Sequence, residues 1–310
     1  MTDRATAGSP PSPLVGEGRV SDPPPLRVRL ALRDLDAVTL LALPAILFVA
    51  ALFVYPFLYG FVLSFKPKAG DWLANYRKFF SDPFLYSTIG ATLWLAVPAT
   101  LINLILSIPV AMRVRLMQRR RLLTTILVVP ITLGTVLIAE GLLNYLGPQG
   151  WLNRSLALLG LGSVRLVHNY TGVLISLIMS GFPFTFLLTL SYITGIDPSL
   201  EHAASTLGAK ADGRFWHIIL PLLAQGLAIN LCLSFVQTFS VFPSAVLLGS
   251  PAGATRVISI AAYQAAYEQY DYSMASAVAM IMGFVQLAVV TLILSARALV
   301  YRGAAGGGKG

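Results

Sequence analysis

Six long apolar runs dominate this chain, at residues 38–65, 88–112, 122–146, 171–196, 218–242 and 273–298. A helix needs about 20 mostly apolar residues to cross a hydrocarbon core, and every run meets that length. Inside lipid no water satisfies the backbone, so segments of this kind must make their hydrogen bonds internally, as helices. The expected fold is therefore an all-α polytopic membrane protein with six transmembrane helices. Pro44, Pro56, Pro98, Pro109, Pro130 and Pro183 fall inside the runs; neighbouring helices can re-satisfy the freed carbonyls, so they do not veto the helices. Only 11% of the residues are charged, where an ordinary soluble domain carries roughly a quarter. That deficit excludes a water-soluble globular protein.

The flanks and loops set the topology. Residues 1–37 are rich in Pro, Gly, Arg and Asp and lack helical periodicity, so a disordered tail is expected there. The membrane domain follows over 38–298, with a second tail at 299–310. The first run begins near Val38 and is too long for a cleavable signal peptide. Lys and Arg mark the cytoplasmic side. With the N-terminus inside, that side holds five in the tail, five in residues 113–121, Lys210 and Arg214, and three at the C-terminus, against seven in the outer loops. The expected orientation is N-in and C-in. Basic residues scattered through short loops report topology and not a nucleic-acid surface. Cys232 is the single cysteine, so no intrachain disulfide forms.

The most informative loop joins the fourth and fifth runs and reads IDPSLEHAASTLGAKADGRFWHIILP over residues 196–221. Asp197, Pro198 and Ser199 suit a helix start. Leu200, Ala203, Ala204 and Leu207 then share one helical face, and Gly208 stops the helix. A second short piece carrying Phe215 and Trp216 leads to Pro221. Two short amphipathic helices joined at a glycine have an apolar face and no core of their own to bury it in. Docking into a partner's groove is the natural use of such a face.

This loop resembles the cytoplasmic signature loop of permeases in binding-protein-dependent ABC importers: Glu-Ala-Ala, three residues, Gly, nine residues, Ile, one residue, Leu-Pro. Ala203, Ala204, Gly208, Ile218, Leu220 and Pro221 stand at the matching positions. The motif's glutamate falls on His202, with Glu201 one position early. Either Glu201 takes over the contact with the ATPase or His202 makes a different one. Residues 72–83, WLANYRKFFSDP, and 147–153, GPQGWLN, resemble outer loops of the spermidine/putrescine branch. The likeness covers most of 38–298 and implies a type I importer fold with its core at 88–298. It further implies a multi-pass bacterial inner-membrane subunit. Its partners would be a second permease, two ATP-binding cassette ATPases and a periplasmic binding protein, with a polyamine as cargo. Related permeases carry iron, thiamine, opines or phosphonates, and remain the alternatives. The cofactors ATP and Mg would be used by the partner ATPases and none by this chain.

Other residues invite narrower readings. Glu140 is the only acidic residue inside an apolar run. It either attracts a cationic cargo at the outer mouth or serves snorkelling and helix packing. Asn230, Ser234 and Gln237 recur as one polar stripe, which lines a translocation path or bonds a neighbouring helix. Residues 303–309 fit G-x4-G-K, but Gly310 follows in place of Ser or Thr and no strand precedes, so a nucleotide site is not expected. Asn153-Arg-Ser and Asn169-Tyr-Thr are glycosylation-type triplets that arise by chance and carry no weight. An intramembrane enzyme would need paired carboxylates, a nucleophile with its base, or metal ligands within the spans. His168, His202 and His217 all fall in or beside loops and no H-E-x-x-H occurs, so neither catalysis nor a metal site is expected. A secondary transporter is the better rival, yet mid-membrane charges and internal repeats are both lacking.

Overall fold

A computed structural model describes residues 37–301. The tails expected at 1–36 and 302–310, and with them the G-x4-G-K run, lie outside the described residues. In chain order the helices are α1 (Ala37–Ser64), α2 (Ala74–Ser81), α3 (Pro83–Arg115), α4 (Arg120–Leu146), α5 (Trp151–Leu158) and α6 (Tyr170–Thr194). There follow α7 (Pro198–Thr206), α8 (Ala211–Arg214), α9 (Leu220–Phe239), α10 (Pro243–Leu247), α11 (Ile258–Tyr263) and α12 (Tyr272–Tyr301). No strand occurs among the described residues. Six helices are long and apolar enough to cross a membrane, at the six places expected. Contacts divide the chain into two units, one ending at Leu58 and the other running from Tyr59 onward. In the first unit α1 runs through Pro44 and on without a break.

Within the second unit α6 packs on α3, α4 and α9. Lipid tails are as apolar as leucine, so such helices associate through close packing and interhelical hydrogen bonds, not hydrophobicity. Both are present. Gly226 on α9 lies so near Tyr192 of α6 that an added Cβ would sit 2.4 Å from the ring. Ser107 and Thr189 share a 2.8 Å hydroxyl contact between α3 and α6, and Thr185 and Ser234 a 2.9 Å one between α6 and α9.

Two features depart from a plain six-helix reading. The connection after the fifth span is not a surface loop. Its Val241, Ala245, Leu248, Val257 and Ile258 are buried, with α10 and α11 folded into the core. The Ile258 N–H donates to Thr92 Oγ1 at 2.9 Å. Arg256, counted above among the outer-loop cations, donates to the Phe84 carbonyl and to Gln264 Oε1, and its guanidinium lies 3.6 Å from the Phe84 ring centroid. The second departure is in α4, where Gly134 leaves the helical region at φ 71°, ψ 163°, four residues after Pro130. Proline strips a donor from the helical ladder, and glycine alone takes this φ without strain.

Candidate functional site

The helix α7 is built by its caps. Pro198 occupies its first turn, and Asp197 Oδ1 accepts the Ser199 N–H at 2.8 Å. That bond, reinforced by the Ser199 hydroxyl, holds the Asp197 carboxyl below its ordinary range. At the other end Gly208 adopts φ 82°. The Ala209 N–H bonds the Ala204 carbonyl and the Gly208 N–H bonds that of Ser205, both at 3.0 Å. This pair of bonds is a Schellman stop, which requires a left-handed residue. No residue of α7 is buried. Leu200 and Leu207 are 45% and 89% exposed, Ala203 is exposed and Ala204 half-buried, so the apolar face has no cover among the described residues.

Glu201 and His202, adjacent in sequence, part company in space. Arg115, at the end of α3, donates from Nη2 to both carboxylate oxygens of Glu201 at 2.7 and 2.9 Å. The two side chains are only 12% and 22% exposed. His202 is exposed, and its side chain makes no hydrogen bond among the described residues. Both residues border a cleft of about 430 Å³ together with Arg115, Arg120 and Arg214.

Beyond Gly208 the structure corrects one expectation. The piece carrying Phe215 and Trp216 is not a second loop helix: residues 211–239 form one span. A wider turn over Phe215–Ile219, in which the Leu220 N–H reaches the Phe215 carbonyl, carries α8 directly into α9. Pro221 has no N–H to return to the preceding turn, and the wide turn sits where that donor is missing. Ile218 and Leu220 are half-buried and Pro221 is exposed, all three at the base of the spanning helix.

The polar stripe on α9 divides. Asn230, fully buried, donates to the Thr185 carbonyl and to Thr189 Oγ1, both at 2.9 Å. Ser234 bonds Asn230 Oδ1 at 3.1 Å as well as Thr185. Both residues are thus engaged by neighbouring helices. Gln237 is exposed and borders a small cavity of about 70 Å³ with Thr135, Ser180 and Ser240. Thr135 directly follows the break at Gly134. Irregular backbone at membrane depth is tolerated where it is buried in protein or lines a cavity. The residues of this cavity other than Gln237 escaped the sequence reading, although Pro130 and Gly134 four apart inside one apolar run signal the break. Glu140 is exposed, and Asn144 Nδ2 donates to its Oε1 at 3.3 Å.

Comparison with known proteins gives concordant matches. The family described as "binding-protein-dependent transport system inner membrane component" matches residues 37–303. A probable sulfate transport system permease protein of Marchantia polymorpha is 30% identical over 222 residues, 71% of this chain and 75% of the relative. A spermidine/putrescine transport system permease protein of Haemophilus influenzae is 30% identical over 181 residues, 57% of this chain and 63% of the relative. Among solved structures, a bacterial ABC transporter involved in import of the acidic polysaccharide alginate has a similar fold. Its TM-score is 0.73 at 21% identity, covering 89% of this chain and 100% of that one.

Proposed function

The chain belongs to the family of binding-protein-dependent transport system inner membrane components, and on that premise we propose that it forms half of the translocation pathway of an ATP-driven importer. The observation that carries this reading is α7, a helix capped at both ends whose apolar face finds no cover among the described residues. Such a face fits a groove on an ATPase subunit. The partners are a second permease, two ATPase subunits and a periplasmic binding protein, in a bacterial inner membrane with both termini inside. Closure of the ATPase pair on ATP moves the docked α7, and the motion passes into the spanning helices as alternating access.

Glu201 and His202 then divide the work. Arg115 engages the Glu201 carboxylate and ties α7 to the end of α3, so Glu201 transmits motion within the chain. His202, exposed and with its side chain unbonded among the described residues, is the residue that meets the ATPase. Gln237, Thr135, Ser180 and Ser240 beside the helix break are the path-lining group, and Asn230 and Ser234 brace it from behind.

The polyamine branch expected from the outer loops is not singled out. Relatives named for sulfate and for spermidine/putrescine transport both match, and the sulfate relative matches over the larger share of this chain. The cargo is a small hydrophilic solute, with sulfate the first to try. Co-expression with the ATPase subunits and the binding protein tests the reading. ATP-dependent uptake of labelled sulfate supports it, and uptake of spermidine instead restores the polyamine branch. Uptake that needs only an ion gradient and no ATPase would contradict the importer itself.

A further inference from the structure

The second cleft at this end of the membrane domain has no assigned purpose. It measures about 810 Å³ and lies between the start of α4 and the end of α6. Arg120, Arg121, Thr124 and Ser191 line its polar end, and Leu187 and Leu190 its apolar wall. Three independent observations concern charge and unmet donors there. Among the described residues the only ion pairs are Arg77–Asp71 and Arg115–Glu201, so Arg120 and Arg121 face the cleft with no carboxylate partner. The first turn of α4 has no side-chain cap; the Leu122 and Leu123 N–H groups return to the Arg119 carbonyl, which leaves those of Arg120 and Arg121 and the positive end of the helix dipole there. Among the described residues the side-chain hydroxyls of Thr124 and Ser191 make no hydrogen bond, so both remain available as donors.

A cleft with two unpaired guanidinium groups, free hydroxyls and an open helix N-terminus calls for an anion with several oxygens. The cleft joins the ends of two spanning helices, where the bilayer's headgroups lie, and its Leu187 and Leu190 wall continues toward the membrane interior. We propose that it binds the phosphate of an anionic phospholipid headgroup, with the acyl chains following the apolar wall. The identity of the leaflet rests on the N-in orientation proposed above; the chemistry of the cleft does not.

The test uses the purified full-length chain in detergent, titrated with phosphatidylglycerol and followed by native mass spectrometry. Phosphatidylcholine serves as the zwitterionic control and inorganic phosphate as competitor. Phosphatidylglycerol binds in preference to phosphatidylcholine. Arg121→Gln weakens it about fivefold and the Arg120→Gln/Arg121→Gln pair about 30-fold, as expected for one and two interfacial charges. Replacing the pair by Lys keeps the charge and most of the binding, and shows that the site and not the fold was altered. Arg119→Gln, in the same basic run but outside the cleft, leaves binding unchanged. Equal binding of the two lipids, or an Arg119→Gln loss as large as that of Arg121→Gln, overturns the proposal. Displacement by inorganic phosphate at the lipid's own concentration replaces it with a free-anion site. No ATPase or binding protein enters the assay, so a negative result leaves the importer reading untouched.

Discussion

Replacing Glu201 by Gln isolates the tie between α7 and α3. The glutamine keeps the size and one acceptor oxygen but removes the charge that faces Arg115. An exposed ion pair is worth about 0.2–1 kcal/mol, and breaking a fully buried one costs about 3–5 kcal/mol. Here the side chains are 12% and 22% exposed and one nitrogen serves both oxygens at 2.7 and 2.9 Å. This is tighter than a surface pair but short of a two-nitrogen fork, which places the loss at about 1–2 kcal/mol. Because α7 has no buried residue, that loss appears as local opening of α7 and not as global unfolding. Amide hydrogen exchange across residues 200–206 is therefore the assay, with about 5- to 30-fold faster exchange expected and the spanning helices unchanged. The Arg115→Met/Glu201→Gln double variant should recover part of the loss, since no uncompensated guanidinium remains. His202→Ala should leave exchange in α7 as it was. Exchange in Glu201→Gln within twofold of the parent, or strictly additive single and double variants, would refute the tie.

Three further outcomes follow from the geometry. At Gly208 nothing lies within 4 Å of an added Cβ, so Gly208→Ala costs only the left-handed backbone, about 1 kcal/mol. It should read as fraying at the end of α7, less severe in Gly208→Asn and more in Gly208→Val. At Gly226 the obstacle is steric, because an added Cβ meets the Tyr192 ring at 2.4 Å. Gly226→Ala should lower thermal stability in detergent by about 1–3 kcal/mol, with Tyr192→Leu restoring part of it; an unchanged melting curve would remove the close α6–α9 approach. The Asp197 cap gives a pH signature. Its carboxyl is held low by the Ser199 N–H, so its support of α7 is complete above the carboxyl's unfolded pKa and fades as pH falls through the lower folded one. Exchange in α7 should quicken over that acid window, beyond its intrinsic pH dependence, in the parent and not in Asp197→Asn, whose neutral side-chain oxygen still caps the helix.

How far the sequence reached depended on the range of the forces involved. Helices spanning lipid are dictated by local apolarity alone, and all six stood where the runs placed them. The start and stop of α7 were equally local, a matter of Asp197, Pro198 and Gly208. Tertiary partners were another matter. Nothing in the spacing of Arg115 and Glu201, 86 residues apart, announces an ion pair, and on sequence alone the charge of Arg115 reports only topology. Asn153 and Asn169 looked like chance glycosylation triplets. In the fold Asn153 braces the carbonyls of Gly147 and Val164, and Asn169 caps α6 through the Gly172 N–H. The segment after the fifth span is apolar but too short for a helix that crosses lipid, so its burial as α10 and α11 depended on long-range contacts such as that from Ile258 to Thr92. The wide turn before Pro221 was hidden for a related reason. Proline read locally as a helix boundary, whereas the fold absorbs it by widening one turn.

The most direct test of α7 as the docking element is cysteine capture in the assembled transporter. Cys232 is buried, so a cysteine introduced at position 202 is the only accessible thiol of this chain. With ATPase subunits present, a short bifunctional cross-linker should join His202→Cys to an ATPase, with a yield that changes when ATP is added, and should do the same for Leu207→Cys. An assembled complex in which neither position captures an ATPase subunit, with or without ATP, would contradict the docking of α7.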